Sequence, residues 1–509
     1  MLATAVSYGL NGIKGYCVRV EVNISGGMYA YETVGLPDAA VKESKERVRA
    51  AITNSGYAYP AMRTTVNLAP ADTKKEGSVY DLPIALALLA ANGQVNAERL
   101  REYVIIGELA LCGDVTGVKG VLPMVIDACS QGYRNIMLPT QNASEASYIS
   151  GTRIIPVSNL KEAVQCLNGE REAVPFVPKR WDPECCEYAA DFSEIKGQQG
   201  AKRAAEIAAA GGHNMLMIGT PGTGKTMIAK AMPSILPRLT FEEALEITKI
   251  CSVVERMPSD TGIVTRRPFR APHHSASATA IVGGGQNAAP GEVSLAHYGV
   301  LFLDELPEFS REVLEALRQP LEDGRITITR AAAKATYPAD FMLVAAMNPC
   351  PCGYYGSRLN KCTCAPAKVQ RYQQRISGPM LDRIDLHVEM SEVTYKELTS
   401  NEVGETSRDV RKRVEKARGM QKERYKDDGI LFNAQLTNRL TKKYCVLDCD
   451  ASRILEMAMD TFDLTPRAYG RILKVSRTIA DLEGSASIEA HHVAEAIQYR
   501  SIDSKYRRQ

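Results

Sequence analysis

Gly219-Thr220-Pro221-Gly222-Thr223-Gly224-Lys225-Thr226 follows the apolar run Asn214-Met-Leu-Met-Ile218 and precedes Met227-Ile-Ala-Lys-Ala231. The stretch satisfies every fixed position of G-x-x-x-x-G-K-[ST], and its flanks read as a strand and a helix, the setting that a phosphate-cradling loop requires. The glycines let the backbone turn tightly enough for its N–H groups to surround a phosphate, and the following helix N-terminus adds partial positive charge. Lys225 is placed to reach the β- and γ-phosphates of ATP, and Thr226 to hold Mg²⁺. The rest of the chain is read outward from this loop.

Two later strands give the loop its partners. Gly299-Val-Leu-Phe-Leu-Asp304-Glu305 is an apolar run ending in two acids. At a strand end beside a phosphate loop, Asp304 is expected to bind Mg²⁺ and Glu305 to polarise an attacking water. Phe341-Met-Leu-Val-Ala-Ala-Met347 ends at Asn348, a polar side chain expected beside the γ-phosphate. Between them, Gly324-Arg-Ile-Thr-Ile-Thr-Arg330 and Ala331-Ala-Ala-Lys-Ala-Thr-Tyr-Pro read as an inserted hairpin carrying Arg325, Arg330 and Lys334.

Composition sets the frame. At 509 residues the chain is long enough for about three domains. Hydrophobic content of 45% and charged content of 24% are those of a globular protein. No run approaches the roughly 18 apolar residues that span a bilayer, and Met1-Leu-Ala-Thr-Ala-Val-Ser-Tyr-Gly has no basic n-region. Thirteen cysteines, an odd number, argue against a disulfide framework. A cytoplasmic protein with reduced thiols and no membrane partner is expected. A net charge of +3 says little about partners by itself.

Residues 1–170 read as an α+β domain. Val18-Arg-Val-Glu-Val-Asn-Ile24 and Tyr29-Ala-Tyr-Glu-Thr-Val34 are expected to form a hairpin across Gly26-Gly27. Asp38 is expected to cap a helix carrying Val41, Val48 and Ile52. Strands are expected at Thr64–Leu68, Tyr103–Ile106 and Asn135–Leu138, with a buried helix from Leu82 to Ala91 and another from Leu122 to Gln131. Residues 171–190, with three prolines and Cys185-Cys186 near their end, read as a linker. The phosphate-loop domain is assigned to 191–395. Residues 396–509 are expected to form a helical lid, beginning with a run rich in Arg408, Arg411, Lys412, Arg413, Lys416, Arg418 and Lys422. That run reads either as a solvated helix face or as a nucleic-acid contact.

Cys350-Pro-Cys352-Gly and Cys362-Thr-Cys364 place four thiols in one short loop, the ligand count of a closed structural Zn²⁺ site, though each pair is spaced more tightly than C-x₂₋₄-C. Four free thiols remain the alternative. His273-His274 lies near Arg266, Arg267 and Arg270 and is read equally as a DNA- or pore-facing loop or as structural.

Two resemblances extend this reading. Lys75-Glu-Gly-Ser78, Leu82-Pro-Ile-Ala-Leu-Ala, Gly107-Glu-Leu-Ala-Leu-Cys-Gly-Asp-Val and Asn135-Ile-Met-Leu-Pro139 resemble the proteolytic domain of Lon. This chain departs from that family at the serine position, which falls near Val79, and at the lysine, which the Val121–Ala128 helix lacks. A serine without a base is a poor nucleophile, so a Lon-like fold without peptidase chemistry is expected, a shifted Ser78–Lys119 dyad being the alternative. The whole chain resembles the magnesium-chelatase-like AAA+ family of ComM and YifB. The motifs are Phe269-Arg-Ala-Pro-His273-His274, Pro290-Gly-Glu-Val-Ser-Leu-Ala-His297, Val300-Leu-Phe-Leu-Asp-Glu-Leu-Pro-Glu308 and Ser377-Gly-Pro-Met-Leu-Asp-Arg383-Ile-Asp385.

The resemblance implies a multidomain α/β fold: a Lon-protease-like N-terminal domain, a three-layer AAA+ domain with insert hairpins, and a C-terminal helical lid. It implies ATP and Mg²⁺ as cofactors and Arg383 as an arginine finger toward the neighbouring subunit, a salt bridge to Asp382 or Asp385 being the other reading. It implies Arg467 as a second phosphate-contacting arginine. It also implies a homo-oligomeric ring, of hexamer type, moving DNA branches with recombination proteins during natural transformation. A chelatase-type motor remodelling a protein partner for metal insertion is the rival reading.

Overall fold

In the computed structural model, residues 1–177, 181–182, 188, 190–254, 262–285, 288–329, 334–357, 359–392, 399, 404–462 and 464–507 are described, with side chains to residue 500. Cys185, Cys186, Arg330 and part of the expected linker lie outside these residues.

The N-terminal unit is built on a seven-stranded mixed sheet. Its strand order is Tyr31–Val34, Arg63–Ala69, Lys14–Ser25, Leu2–Asn11, Tyr103–Ile105, Asn135–Pro139, Arg153–Val157. Alternating burial along Lys14–Ser25 puts Val18, Val20, Val22 and Ile24 in the core and their neighbours outward. The helix Asp81–Ala91 is buried throughout. Asp38 caps the helix Ala39–Asn54, its Oδ1 accepting from the Val41 N–H at 2.8 Å, and Val41, Val48 and Ile52 are buried.

The hairpin expected across Gly26-Gly27 does not form. Lys14–Ser25 pairs antiparallel with Leu2–Asn11 and with Arg63–Ala69, and Tyr31–Val34 joins Arg63–Ala69 in parallel. The hairpin turn is Gly12-Ile13, with Gly12 at φ 64°. The first strand, whose centre is almost entirely buried, has the stronger claim on the edge that Tyr31–Val34 would have taken.

The second sheet is parallel and five-stranded. Its order is Phe269–Arg270, Val300–Leu303, Met342–Met347, Met215–Gly219, Leu386–Met390. Its central strands are apolar and buried along their length, as a parallel sheet covered on both faces demands. Asn214 fastens three of these strands. Its Oδ1 accepts from the Leu343 N–H at 2.8 Å, its Nδ2 donates to the Arg383 carbonyl at 2.9 Å, and its own carbonyl accepts from the Asp385 and Leu386 N–H groups at 3.0 Å. The inserted hairpin is formed by Arg325–Thr329 and Lys334–Pro338. Its apolar side, Ile326, Ile328, Ala335 and Tyr337, is buried.

The C-terminal part is helical: Ser407–Arg424, Asn438–Tyr444, Cys449–Phe462, Pro466–Glu483 and Ala490–Arg507. Pro466 stands in the first turn of its helix, where its missing N–H costs nothing. The basic run from 408 is divided: Arg411, Arg413 and Arg418 pack its helix into the fold, while Lys412 is exposed beside Asp409. Arg413 pairs with Glu206 and Glu405, and Arg411 donates to the Ser234 carbonyl. Arg418 donates to the Ala209 carbonyl and lies 4.3 Å over the Phe432 ring. Arg408, Lys416 and Lys422 are exposed.

A buried polar chain ties these helices to the parallel sheet. Asp385 accepts from Arg471 and lies 3.0 Å from His213 Nδ1, and His213 Nε2 lies 2.8 Å from Thr478 Oγ1. Asn433 Nδ2 joins Thr478 and Asp481, and Arg424 and Arg477 close on Asp481. Burial alone would raise the Asp385 carboxyl, but Arg471 and then His213 overcome it and hold it well below the usual carboxylate range. Asp385→Ala leaves Arg471 uncompensated and is expected to cost about 3–5 kcal/mol, read as a lower urea midpoint. A carboxyl depressed in the folded state stabilises above its unfolded pKa of about 3.9, so the wild-type advantage over Asp385→Ala should be constant near neutrality and shrink as pH falls below about 4. An unchanged midpoint would remove the carboxylate from its role as the tie.

Candidate phosphate-binding site

The parallel strands Met215–Gly219, Val300–Leu303 and Met342–Met347 deliver three loops to one edge of the sheet, outside their C-terminal ends, where open α/β sheets bind ligands. Gly219 to Gly224 turn from the first strand into the helix Lys225–Ile235. Gly222 at φ 82° and Gly224 at φ 89° adopt left-handed backbone that a side chain would resist. The loop is braced within itself, Thr223 Oγ1 donating to the Thr220 carbonyl at 2.9 Å. Gln198, just before the helix Gln199–Gly211, braces it from outside. Its Nε2 donates to the carbonyls of Thr223 at 3.1 Å and Ser391 at 2.6 Å. The sequence reading missed Gln198, although Gly197-Gln198 at a helix start is a signal that could have drawn attention to it.

Lys225 Nζ donates to the carbonyls of Gly219 (2.6 Å) and Thr220 (2.9 Å) and to Asn348 Oδ1 (3.1 Å). Burial lowers the Lys225 pKa from its ordinary value, and Asp304 and then Glu305 oppose that shift. Thr226 Oγ1 donates to Asp304 Oδ2 at 3.1 Å. Lys225 thus meets Asn348, and Thr226 meets Asp304, at the same edge of the sheet. This donor set, a loop of N–H groups with an ammonium beside a hydroxyl and a carboxylate, fits a nucleotide triphosphate with Mg²⁺.

Glu305 occupies the left-handed region at φ 53°, and its N–H donates to Asp304 Oδ1 at 2.9 Å. A non-glycine residue held there carries strain of the kind that gathers at functional sites. Its carboxylate lies 3.3 Å from His274 Nδ1. His273 and His274 stack at 4.0 Å, and His273 Nδ1 bonds Ser275 Oγ. His274 thus sits beside Glu305, a placement that neither reading of this pair, a DNA- or pore-facing loop or a structural one, names.

Arg383 sits apart from Lys225's circle. It donates to the Pro379 carbonyl at 2.7 Å and pairs with Glu322, not with Asp382 or Asp385. Arg467 is exposed, 3.5 Å from Asp382. The sequence reading missed Arg471, the cation that does pair with Asp385. Two arginines expected to face DNA or a pore are paired within the chain instead. Arg267 donates to the carbonyls of Tyr298 and Arg238 and pairs with Glu243, and Arg270 forms a two-point pair with Glu292. Arg266, Arg325 and Lys334 are exposed.

Cys350, Cys352, Cys362 and Cys364 gather beyond Asn348 with their sulfurs within 4.8 Å of one another. Measured separations are 3.3 Å (350–352), 3.7 Å (350–362) and 3.5 Å (352–362). All exceed the roughly 2.05 Å of a disulfide. They approach the roughly 3.8 Å sulfur spacing of a tetrahedral ion with metal–sulfur bonds of about 2.3 Å. Backbone N–H groups of Tyr354 and Thr363 pull the Cys352 thiol below its ordinary value.

The Ser78–Lys119 pairing is not present. Ser78 Oγ donates to Glu108 Oε2 at 2.6 Å, and Lys119 Nζ donates to the Val254 carbonyl at 2.5 Å, across the contact between the N-terminal unit and the helix Phe241–Val254. No described helix is long and apolar enough to cross a membrane.

Comparison with known proteins covers all three parts. The family described as magnesium chelatase, subunit ChlI, matches residues 191–398; subunit ChlI of Mg-chelatase matches 20–142; and the magnesium chelatase subunit ChlI C-terminal family matches 404–500. YifB of Salmonella typhimurium is 48% identical over 496 residues, covering 97% of this chain and 96% of that protein. The competence protein ComM of Haemophilus influenzae is 46% identical over 506 residues, covering 98% of each. A distant similarity, 23% over 299 residues, reaches the maternal DNA replication licensing factor mcm6 of Xenopus tropicalis and covers 57% of this chain and 32% of that protein. The parallel-sheet core and helical C-terminus are consistent with a chelatase-type AAA+ fold, and with near full-length identity on this scale the chain belongs to the magnesium-chelatase-like family of YifB and ComM.

Proposed function

We propose that the chain is an ATP-hydrolysing AAA+ motor that works as a homo-oligomeric ring on DNA, with branch migration during recombination of incoming DNA as its task. The observation that carries the ATPase is the meeting of Lys225 with Asn348 and of Thr226 with Asp304 at the carboxyl edge of the parallel sheet. In this reading Lys225 and the loop amides bind the phosphates, and Asn348 orients Lys225 and the γ-phosphate. Glu305, released from His274, polarises the attacking water. Thr226 and Asp304 would hold Mg²⁺, whose charge would offset that of the phosphates. Arg383 is offered to a neighbouring subunit, and Arg467 contacts phosphate from the lid. Residues 1–170 form a Lon-like domain without peptidase chemistry, joined through 171–190 to an ATPase core at 191–395 and a lid at 396–509. The cofactors are ATP, Mg²⁺ and, in the four-cysteine loop, Zn²⁺, and the protein acts in the cytoplasm.

The names of ComM, a competence protein, and of mcm6, a DNA replication licensing factor, support DNA as the substrate. The magnesium-chelatase descriptions of the matching families favour the second reading, a motor that remodels a protein partner for metal insertion. The exposed hairpin cations Arg325 and Lys334, with Arg266, are the DNA contacts of the first reading. Arg330 belongs to the same hairpin by sequence.

Lys225→Ala is expected to abolish ATP binding. Glu305→Gln is expected to bind ATP and turn it over at least about 100-fold more slowly. Normal hydrolysis in either would overturn the ATPase site. Arg383→Ala should assemble yet lose about 10³-fold in turnover, and mixing with Lys225→Ala subunits should restore part of it. Wild-type turnover in Arg383→Ala alone would remove the finger.

For the substrate, Arg325→Ala with Lys334→Ala should leave basal turnover intact and weaken binding to all DNA sequences. The slope of log affinity against log salt should flatten by about one unit per lost phosphate contact. Wild-type protein should move a four-way junction only with ATP. Indifference to single strands, duplexes and junctions alike would transfer the case to the protein-remodelling reading.

A further inference from the structure

The segment from Cys350 to Cys364 has no helix or strand among its described residues, and of those only Cys350 and Gly353 are buried. Apolar burial therefore does little to order it, although a chain of this length loses much conformational freedom when fixed. Four sulfurs nonetheless converge at its base. Main-chain donors already serve three of them, the Tyr355 N–H on Cys350 Sγ at 3.3 Å, the Cys364 N–H on Cys362 Sγ at 3.5 Å, and the Tyr354 and Thr363 N–H groups on Cys352. Such donors disperse the negative charge of metal-bound thiolates and orient them.

The place of the cluster matters as much as its composition. Cys350 is two residues past Asn348, the partner of Lys225, and between them the Pro349 carbonyl accepts from Gln373 Nε2 at 3.0 Å. On the other side of Cys352, Gly353 takes φ 86° and lies flat against the phosphate loop. A Cβ there would come within 2.7 Å of two ring carbons of Pro221. The cysteine loop thus touches the phosphate site twice, through the end of the Asn348 strand and through Pro221.

We propose that Cys350, Cys352, Cys362 and Cys364 bind one Zn²⁺ as thiolates, releasing their protons on binding, and that the closed knuckle braces Asn348 and Pro221 so that ATP turnover requires the metal. The bracing half rests on the ATPase reading above; the metal half stands on the cysteine geometry alone. A disordered loop would leave Lys225 without its Asn348 contact and the phosphate loop without its outer wall. The consequence falls on turnover more than on nucleotide affinity, since the loop amides and Lys225 remain.

The test uses the full-length protein purified under reducing conditions. Elemental analysis should find about one zinc per chain, and a thiol-specific mercurial should release it as four thiols are titrated. Replacement by Co²⁺ should give the visible bands of a tetrahedral all-thiolate site, and binding of a non-hydrolysable ATP analogue should shift them. Cys362→Ser with Cys364→Ser should lose the metal and at least about ten-fold in turnover, with circular dichroism reporting that the fold is kept. Gly353→Ala should keep the metal and still lose turnover, because its added methyl presses on Pro221. Metal-free wild-type protein with four freely titrating thiols would overturn the site. A metal-free cysteine variant with wild-type turnover, or cobalt bands that ignore the nucleotide analogue, would overturn the brace. Lys225→Ala should retain its zinc, so failure of the ATPase reading would appear as wild-type protein that holds zinc and binds no nucleotide.

Discussion

One buried charge fixes how the helical part of the chain meets the sheet. Asp385 opens the last strand of the parallel sheet, and its carboxylate is answered by Arg471 and His213 from two different helical surroundings. Such a group is tolerated in the interior only because every neighbour that touches it is cationic or a donor. The same chain of bonds runs on through Thr478, Asn433 and Asp481 into the helices Ser407–Arg424 and Pro466–Glu483. Arg500 adds a second fastening, its guanidinium donating to the Ile384 carbonyl beside the same strand. Hydrophobic surfaces bring these helices to the sheet, and the polar chain selects one arrangement among the many that would bury comparable area.

That arrangement bears on the phosphate site. The Leu386–Met390 strand ends beside Ser391, where Gln198 bridges to Thr223. A displacement of the C-terminal helices would therefore be passed along one strand to the Gly219–Gly224 loop. The Met342–Met347 strand on the other flank carries Asn348 and then the cysteine loop. The loop between them is held from both neighbours, so its geometry depends on elements distant in sequence.

What the sequence made legible was local. The turn from Met215–Gly219 into the helix Lys225–Ile235 was readable because the motif sets a tight turn, a helix start and a lysine within a few residues of one another. The Asp38 cap and the buried Asp81–Ala91 helix were readable for the same reason. Pairing across space was less so. Gly26-Gly27 offered a hairpin that the unread first strand displaced. Arg267, Arg270 and Arg413 counted as available charge until Glu243, Glu292 and Glu206 appeared opposite them. Nothing adjacent to Glu305 announces that its backbone is left-handed or that His274 stands next to its carboxylate. The four cysteines lay between these cases, since their number was visible in the sequence and their convergence was not.

The turn at Gly12 carries a consequence for movement. A Cβ at this position would lie 2.9 Å from that of Ala335 on the inserted hairpin. The first turn of the N-terminal sheet thus rests directly on the hairpin near its tip, at the Ile328–Ala335 pair. Its other apolar residues are buried and Tyr337 donates to the Ala288 carbonyl at 2.9 Å, so a movement toward Gly12 would meet a backbone turn backed by a seven-stranded sheet. The N-terminal unit, whose Ser78 and Lys119 are each engaged elsewhere, would limit on that side any shift of the hairpin.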